Sequence, residues 1–95
     1  MIAPPHPGEI LKEEYLVPLD MSANRLANSI GLTGARVNEI VRGKRGVTAD
    51  TALRLARFFG TTAQFWLNLQ SLYELRLAEQ QAGARIERTV KPYAA

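Results

Sequence analysis

Residues 22–45 read SANRLANSIGLTGARVNEIVRGKR, and the two short amphipathic segments in this stretch decide the fold. Ser22 is placed to cap the free backbone N–H groups of a helix start, with Met21 and Leu26 spaced to close as a hydrophobic staple. The first segment then turns Leu26, Ala27 and Ile30 to one face. Gly31 can take the left-handed conformation that ends a helix. Thr33 caps the next, about Gly34 to Arg42, with Leu32 and Val37 again at staple spacing. Two short helices joined by a Gly-containing turn form a helix-turn-helix, about 22–42, whose second helix can lie in a DNA major groove. Ala27 is small enough to let the helices approach, and Val37 and Ile40 anchor the second against the first.

At about 100° per residue, burying Val37, Ile40 and Val41 points Ala35, Glu39 and Arg42 outward, with Arg36 and Asn38 on the flanks. These positions have the chemistry of base readers. Arg36 offers the fork that matches guanine O6 and N7, Asn38 can pair with adenine, and Ala35 can touch a thymine methyl. Glu39 would repel phosphate unless it accepts from cytosine or orients Arg36 or Arg42, so positioning is its better-supported role. Thr33 at the helix start, and Arg42, Lys44 and Arg45 at its far end and in the loop beyond, stand where side chains reach phosphates. The bland alternative is a two-helix packing unit with solvent-facing charge.

Outward from this unit, starts and stops predict an all-α chain of five helices. His6-Pro7-Gly8-Glu9 opens helix one, with Pro7 at a first helical position where its missing N–H costs nothing, and Pro18 stops it after about Leu16. His6, beside Pro5 and Pro7, fits local capping. Val47-Thr48 repeats the staple-and-cap signal before a fourth helix, about Ala49 to Phe59, expected to bury Leu53, Ala56 and Phe59. Gly60 ends it. Thr61 and Gln64 have capping-box spacing and open the longest helix, about 62–81, with Gly83 marking its end. The tail, 84–95, reads as a short strand or a frayed terminus. The whole chain, 1–95, reads as one small domain.

Charge is divided unevenly. Of the 12 basic and 9 acidic residues, Arg25, Arg36, Arg42, Lys44, Arg45, Arg54 and Arg57 fall in 25–57 against only Glu39 and Asp50, leaving the rest slightly acidic. A basic cluster around a helix-turn-helix suits a polyanion, which would release counterions on binding; a solvated basic face with no partner is the alternative. The chain has no cysteine. No apolar run approaches a membrane span, and the N-terminus lacks the pattern of a secretory signal, so a cytoplasmic protein is expected, without disulfides or a membrane. No catalytic residues are expected, because no serine, lysine or carboxylate pair stands in a recognisable catalytic arrangement. With a single histidine, neither a metal site nor a cofactor is expected, and the chain reads as a non-enzyme.

Segment 26–45 resembles the helix-turn-helix of the phage-repressor-like (Cro/C1, Xre) superfamily. More narrowly, PPHPGEIL at 4–11, RVNEIVRGKR at 36–45, TADTALRLARFFGT at 48–61 and QFWLNLQSLYEL at 64–75 are similar to the HigA-type antitoxins of toxin-antitoxin modules. The resemblance implies a five-helix bundle of phage-repressor-like type with a short C-terminal tail. It also implies a homodimer that represses its own operon on double-stranded operator DNA and neutralises a HigB-type toxin, an mRNA-cleaving ribonuclease. Phage repressors often carry glutamine where this chain has Ala23, Gly34 and Ala35. Arg36 and Asn38 agree with the antitoxin pattern and are the preferred readers. A stand-alone repressor and a protein-interaction module that has lost DNA binding remain the other readings.

The last helix carries more apolar surface than packing a small domain needs. Phe65, Leu69 and Leu72 are expected inside, while Trp66, Leu67, Tyr73 and Leu77 are candidates for a dimer or partner interface. Self-association would serve DNA binding by engaging two half-sites about 34 Å apart.

Overall fold

The computed structural model describes residues 5–94. The readings that rest on residues 1–4, including Pro4 of the PPHPGEIL block, and on Ala95 lie outside the described residues. Within them the chain is all-helical: α1 (Pro7–Leu11) leading into a π-helical turn (Lys12–Leu16), then α2 (Ala23–Ile30), α3 (Gly34–Val41), α4 (Ala49–Phe59) and α5 (Ala63–Thr89).

Each start follows its capping residue. The hydroxyls of Ser22, Thr33, Thr48 and Thr62 accept from the backbone N–H three residues on, which satisfies a group the helix itself leaves orphaned. His6 caps α1 at a shorter spacing: its Nδ1 accepts from the Gly8 N–H, two residues on, at 2.9 Å, the local capping expected of it. Gly31 and Gly60 close α2 and α4 in the left-handed conformation, as anticipated. Arg54 reinforces the first of these ends, donating from Nη1 to the Ile30 carbonyl at 2.8 Å while its Nε donates to Asp50 at 2.8 Å.

The first helix is not regular to Leu16. Val17 N–H donates to the Lys12 carbonyl at 2.9 Å, an i to i+5 bond that widens the turn. Widening brings Leu11 and Leu16, five residues apart, into the core together. A regular α-helix would rotate one of them away, so burial of both favours the π turn.

The core gathers Leu11, Leu16, Leu26, Ala27, Ile30, Val37, Ile40, Val47, Ala52, Leu55 and Trp66. Two expectations about inward faces need correction. Leu53 is 64% exposed, and α4 buries Thr51, Ala52 and Leu55 instead, with Ala56 and Phe59 half-buried. Phe65 and Leu72 are exposed and only Leu69 is half-buried. Trp66 occupies the centre, wholly buried, its rings 5.2 Å from Tyr15 and 5.0 Å from Phe65 and its indole N–H donating to Thr61 Oγ1 at 2.8 Å. Thr61 is thereby engaged with Trp66, and Thr62 rather than Thr61 caps α5.

Gly83 does not end α5, which continues to Thr89, so residues 84–89 of the expected tail are helical. One glycine inside a helix costs about 1 kcal/mol relative to alanine, an amount that Gln81, Ala82, Ala84 and Arg85 around it can offset through favourable propensity. The helix is apolar on two sides. Trp66, Leu69, Tyr73 and Leu77 turn inward, while Phe65, Leu72, Leu75 and Ile86 form an outward stripe, with Leu75 58% exposed.

Candidate nucleic-acid interface

The interface is built by packing α3 so that one face is fixed and the other is free. Val37 and Ile40 are buried against α2 and α1, and Gly8 of α1 approaches the Ile40 carbonyl so closely that any side chain at position 8 would collide with it. This crossing braces α3 from behind. Ala35, Arg36, Glu39 and Arg42 are exposed, Asn38 is half-buried, and Val41, expected inside, is half-buried as well.

The far end of α3 closes in a Schellman motif. Gly43, at φ 76°, donates to the Ile40 carbonyl at 3.0 Å, and Lys44 N–H donates to the Glu39 carbonyl at 2.8 Å. This capping fixes the direction in which Lys44 and Arg45 leave the helix. Farther along, Val47 N–H donates to Gln70 Oε1 at 2.8 Å, tying the loop to α5. Neither device was read from the sequence, although glycine just past a helix end is the usual signal for the first.

The charged side chains differ in how far they are committed. Glu39 Oε1 accepts from Arg45 Nε at 2.9 Å, with both side chains about half exposed, so Glu39 orients Arg45 rather than Arg36 or Arg42. Arg54 is held by Asp50 and by the Ile30 carbonyl. Among the described residues Arg25, Arg36, Arg42, Lys44 and Arg57 make no ion pair. Thr33 Oγ1 accepts from Arg36 N–H at 3.2 Å, which leaves its hydroxyl hydrogen for an acceptor outside the protein. Asn38 Nδ2 donates to the Gly34 carbonyl at 2.8 Å and to Asn24 Oδ1 at 3.3 Å. A two-point pairing of Asn38 with adenine needs a free Nδ2 hydrogen, and both are engaged.

Of the residues expected at a protein interface, Trp66 must be withdrawn, because it has no surface to offer. Leu67, Tyr73 and Leu77 are half-buried, and the Tyr73 ring packs edge-on to His6 with centroids 4.8 Å apart. Among the described residues no cluster of three or more histidine, aspartate or glutamate side chains could hold a metal ion, and no helix is long and apolar enough to cross a membrane.

The model of the family described as "Helix-turn-helix" matches residues 11–66. Virulence-associated protein I of Dichelobacter nodosus is 60% identical over 75 residues, 79% of this chain and 69% of that protein. Among solved structures, the Pseudomonas aeruginosa antitoxin HigA with the higBA promoter superposes with a TM-score of 0.93 at 47% identity, covering 96% of this chain and 99% of that one. An addiction module antidote protein of the HigA family from Coxiella burnetii gives 0.92 at 52% identity, over 97% and 100% of the two chains.

Proposed function

The chain belongs to the HigA family of helix-turn-helix proteins, and from that premise we propose that it is the antitoxin of a toxin-antitoxin module. In this reading it is a single-domain, non-catalytic, cytoplasmic protein. It binds its own operator as a homodimer, represses its own operon and neutralises a HigB-type ribonuclease. The observation that carries the DNA-binding half is the exposed side of α3 and the loop at its end, where Arg36, Arg42 and Lys44 are exposed and, among the described residues, make no ion pair. Arg36 and Asn38 read bases and Ala35 adjoins them, while Thr33, Arg42 and Lys44 contact phosphates. Glu39 sets how much of Arg45 is available. The solved relative with promoter DNA supports the same docking, since its fold covers nearly the whole chain.

Dimerisation is proposed through the outward stripe of α5, Phe65, Leu72, Leu75 and Ile86, which leaves a large apolar surface on one protomer facing water. Leu67, Tyr73 and Leu77 keep part of their surface and belong to the proposed interface; Trp66 does not. A small basic ribonuclease is the expected protein partner.

Capture of the tagged protein at native expression, with identification of what co-purifies by mass, tests the antitoxin half. A stoichiometric small basic protein whose release arrests growth is the expected result. Recovery of only the protein itself and DNA would leave a stand-alone repressor.

A further inference from the structure

Besides Asn38 the helix-turn-helix holds Asn24 and Asn28, and Asn24 stands outside every role assigned above. Asn24, in the first turn of α2, points its carboxamide across the motif to α3, where Oδ1 accepts from Asn38 Nδ2 at 3.3 Å. Gly34 leaves the room: a side chain there would occupy the position of Asn24 Oδ1. Asn38 Nδ2 also donates to the Gly34 carbonyl at 2.8 Å.

The polarity of this chain of hydrogen bonds is fixed by chemistry. A backbone carbonyl can only accept, so the Asn38 atom facing Gly34 is its nitrogen, and the Asn24 atom facing that nitrogen is its oxygen. An amide nitrogen has two hydrogens, and both are used. Asn38 therefore has only Oδ1 to offer outward. An acceptor alone finds its complement in the major groove at an exocyclic amino group, adenine N6 or cytosine N4, and meets repulsion at guanine O6 and thymine O4.

Resting on the operator-binding reading above, we propose that Asn24 is a specificity-determining residue. By engaging the second Nδ2 hydrogen of Asn38, it restricts Asn38 to accepting from a major-groove amino group and excludes the two-point adenine contact. Asn24 is a positioning residue in this arrangement, acting on the base through Asn38.

The test uses the full chain and the duplex it selects from a randomised pool. Each adenine is replaced in turn by purine, which lacks the N6 amino group, or by 7-deazaadenine, which lacks N7; each cytosine is replaced by 2-pyrimidinone, which lacks the N4 amino group. One position per half-site should lose about tenfold in affinity on removal of the amino group, the scale of one unmade hydrogen bond, and the Asn38→Ala variant should be insensitive there. If that base is adenine, 7-deazaadenine should change affinity less than about twofold, because no N7 contact is made.

Asn24→Ala frees an Nδ2 hydrogen and should reduce the amino-group penalty toward about twofold, since Asn38 could then donate as well as accept. Asn24→Asp keeps an oxygen facing Asn38 and should preserve the tenfold penalty, although its negative charge lowers affinity for every duplex. A purely structural role for Asn24 would not separate these two variants. The proposal is overturned if Asn24→Ala retains the full penalty, if Asn24→Asp loses it, if 7-deazaadenine costs as much as removal of the amino group, or if no amino group is read through Asn38. Selection of no duplex at all would overturn the operator-binding reading together with it.

Discussion

Replacement of Glu39 by glutamine should make DNA binding both tighter and more sensitive to salt. In the free protein Arg45 Nε lies 2.9 Å from Glu39 Oε1, and the two side chains are 45% and 48% exposed. An ion pair in that setting contributes no more than about 1 kcal/mol to stability, so its loss should leave the fold intact. What changes is the supply of cations. Glutamine keeps the shape and releases Arg45, once per protomer. Each additional phosphate neutralised steepens the dependence of log K on log salt by about 0.9, so two released arginines in a dimer add about 1.8 to the slope. Between 0.05 M and 0.2 M salt, that difference alone multiplies the loss of affinity by about 12-fold relative to the unchanged protein. Binding isotherms by fluorescence anisotropy across that range measure it directly. Lys44→Ala should move the slope by a similar amount in the opposite direction, because among the described residues Lys44 has no acidic partner to leave. Parallel slopes for Glu39→Gln and the unchanged protein would show that Arg45 is no freer in the variant and that Glu39 does not withhold it from DNA. A change of preferred base would show instead that Glu39 itself reads DNA.

Leu72→Glu combined with Leu75→Glu should give a folded monomer by analytical ultracentrifugation, with weaker operator binding; a dimer of unchanged stability would remove the stripe on α5 from the interface. Arg54→Met should lower stability by about 1–2 kcal/mol, the scale of a charge-assisted hydrogen bond to the end of α2, without altering the salt slope of DNA binding; a shallower slope would mean that Arg54 reaches phosphate. Burial lowers the pKa of His6 below its ordinary value of 6.5, so the folded state resists the proton that the unfolded chain accepts. Stability from this source is complete above 6.5 and is lost as pH falls through the lower folded value. Thermal unfolding should show this loss, and His6→Asn, which retains an acceptor for Gly8 N–H, should show less of it.

Much of the fold was legible because local chemistry and packing agree. Ser22, Thr33 and Thr48 each precede an apolar pattern of helical period, and all three cap the helices they announce. The inward face of α4 was not legible for a specific reason: Ala52, Leu53, Leu55, Ala56, Phe58 and Phe59 supply apolar residues all round the helix. Only the packing of α2 and α5 against α4 selects Ala52 and Leu55 over Leu53. Trp66 illustrates the same ambiguity on α5, where two apolar faces share one helix and sequence spacing cannot rank them. The π turn answers a demand of the tertiary core, burial of both Leu11 and Leu16, that local propensity does not encode.

At the candidate site the outward residues of α3 followed from its period, but their commitments did not. Glu39 and Arg45 are six positions apart and meet only because the Schellman turn reverses the chain. Asn24 and Asn38 are fourteen apart, on different helices, and meet because Gly34 has no side chain. The absence of a side chain at the start of a recognition helix was the available signal.

In the proposed complex the free face of α3 docks in the major groove of operator DNA, twice per dimer. Hydroxyl-radical and methylation-protection footprinting on the DNA upstream of the chain's own gene would map that docking. Two protected major-groove segments centred about one helical turn, 34 Å, apart are predicted, with protection of guanine N7 lost in Arg36→Ala. An unprotected upstream region, or the same protection with Arg36 and Lys44 both replaced by alanine, would contradict it.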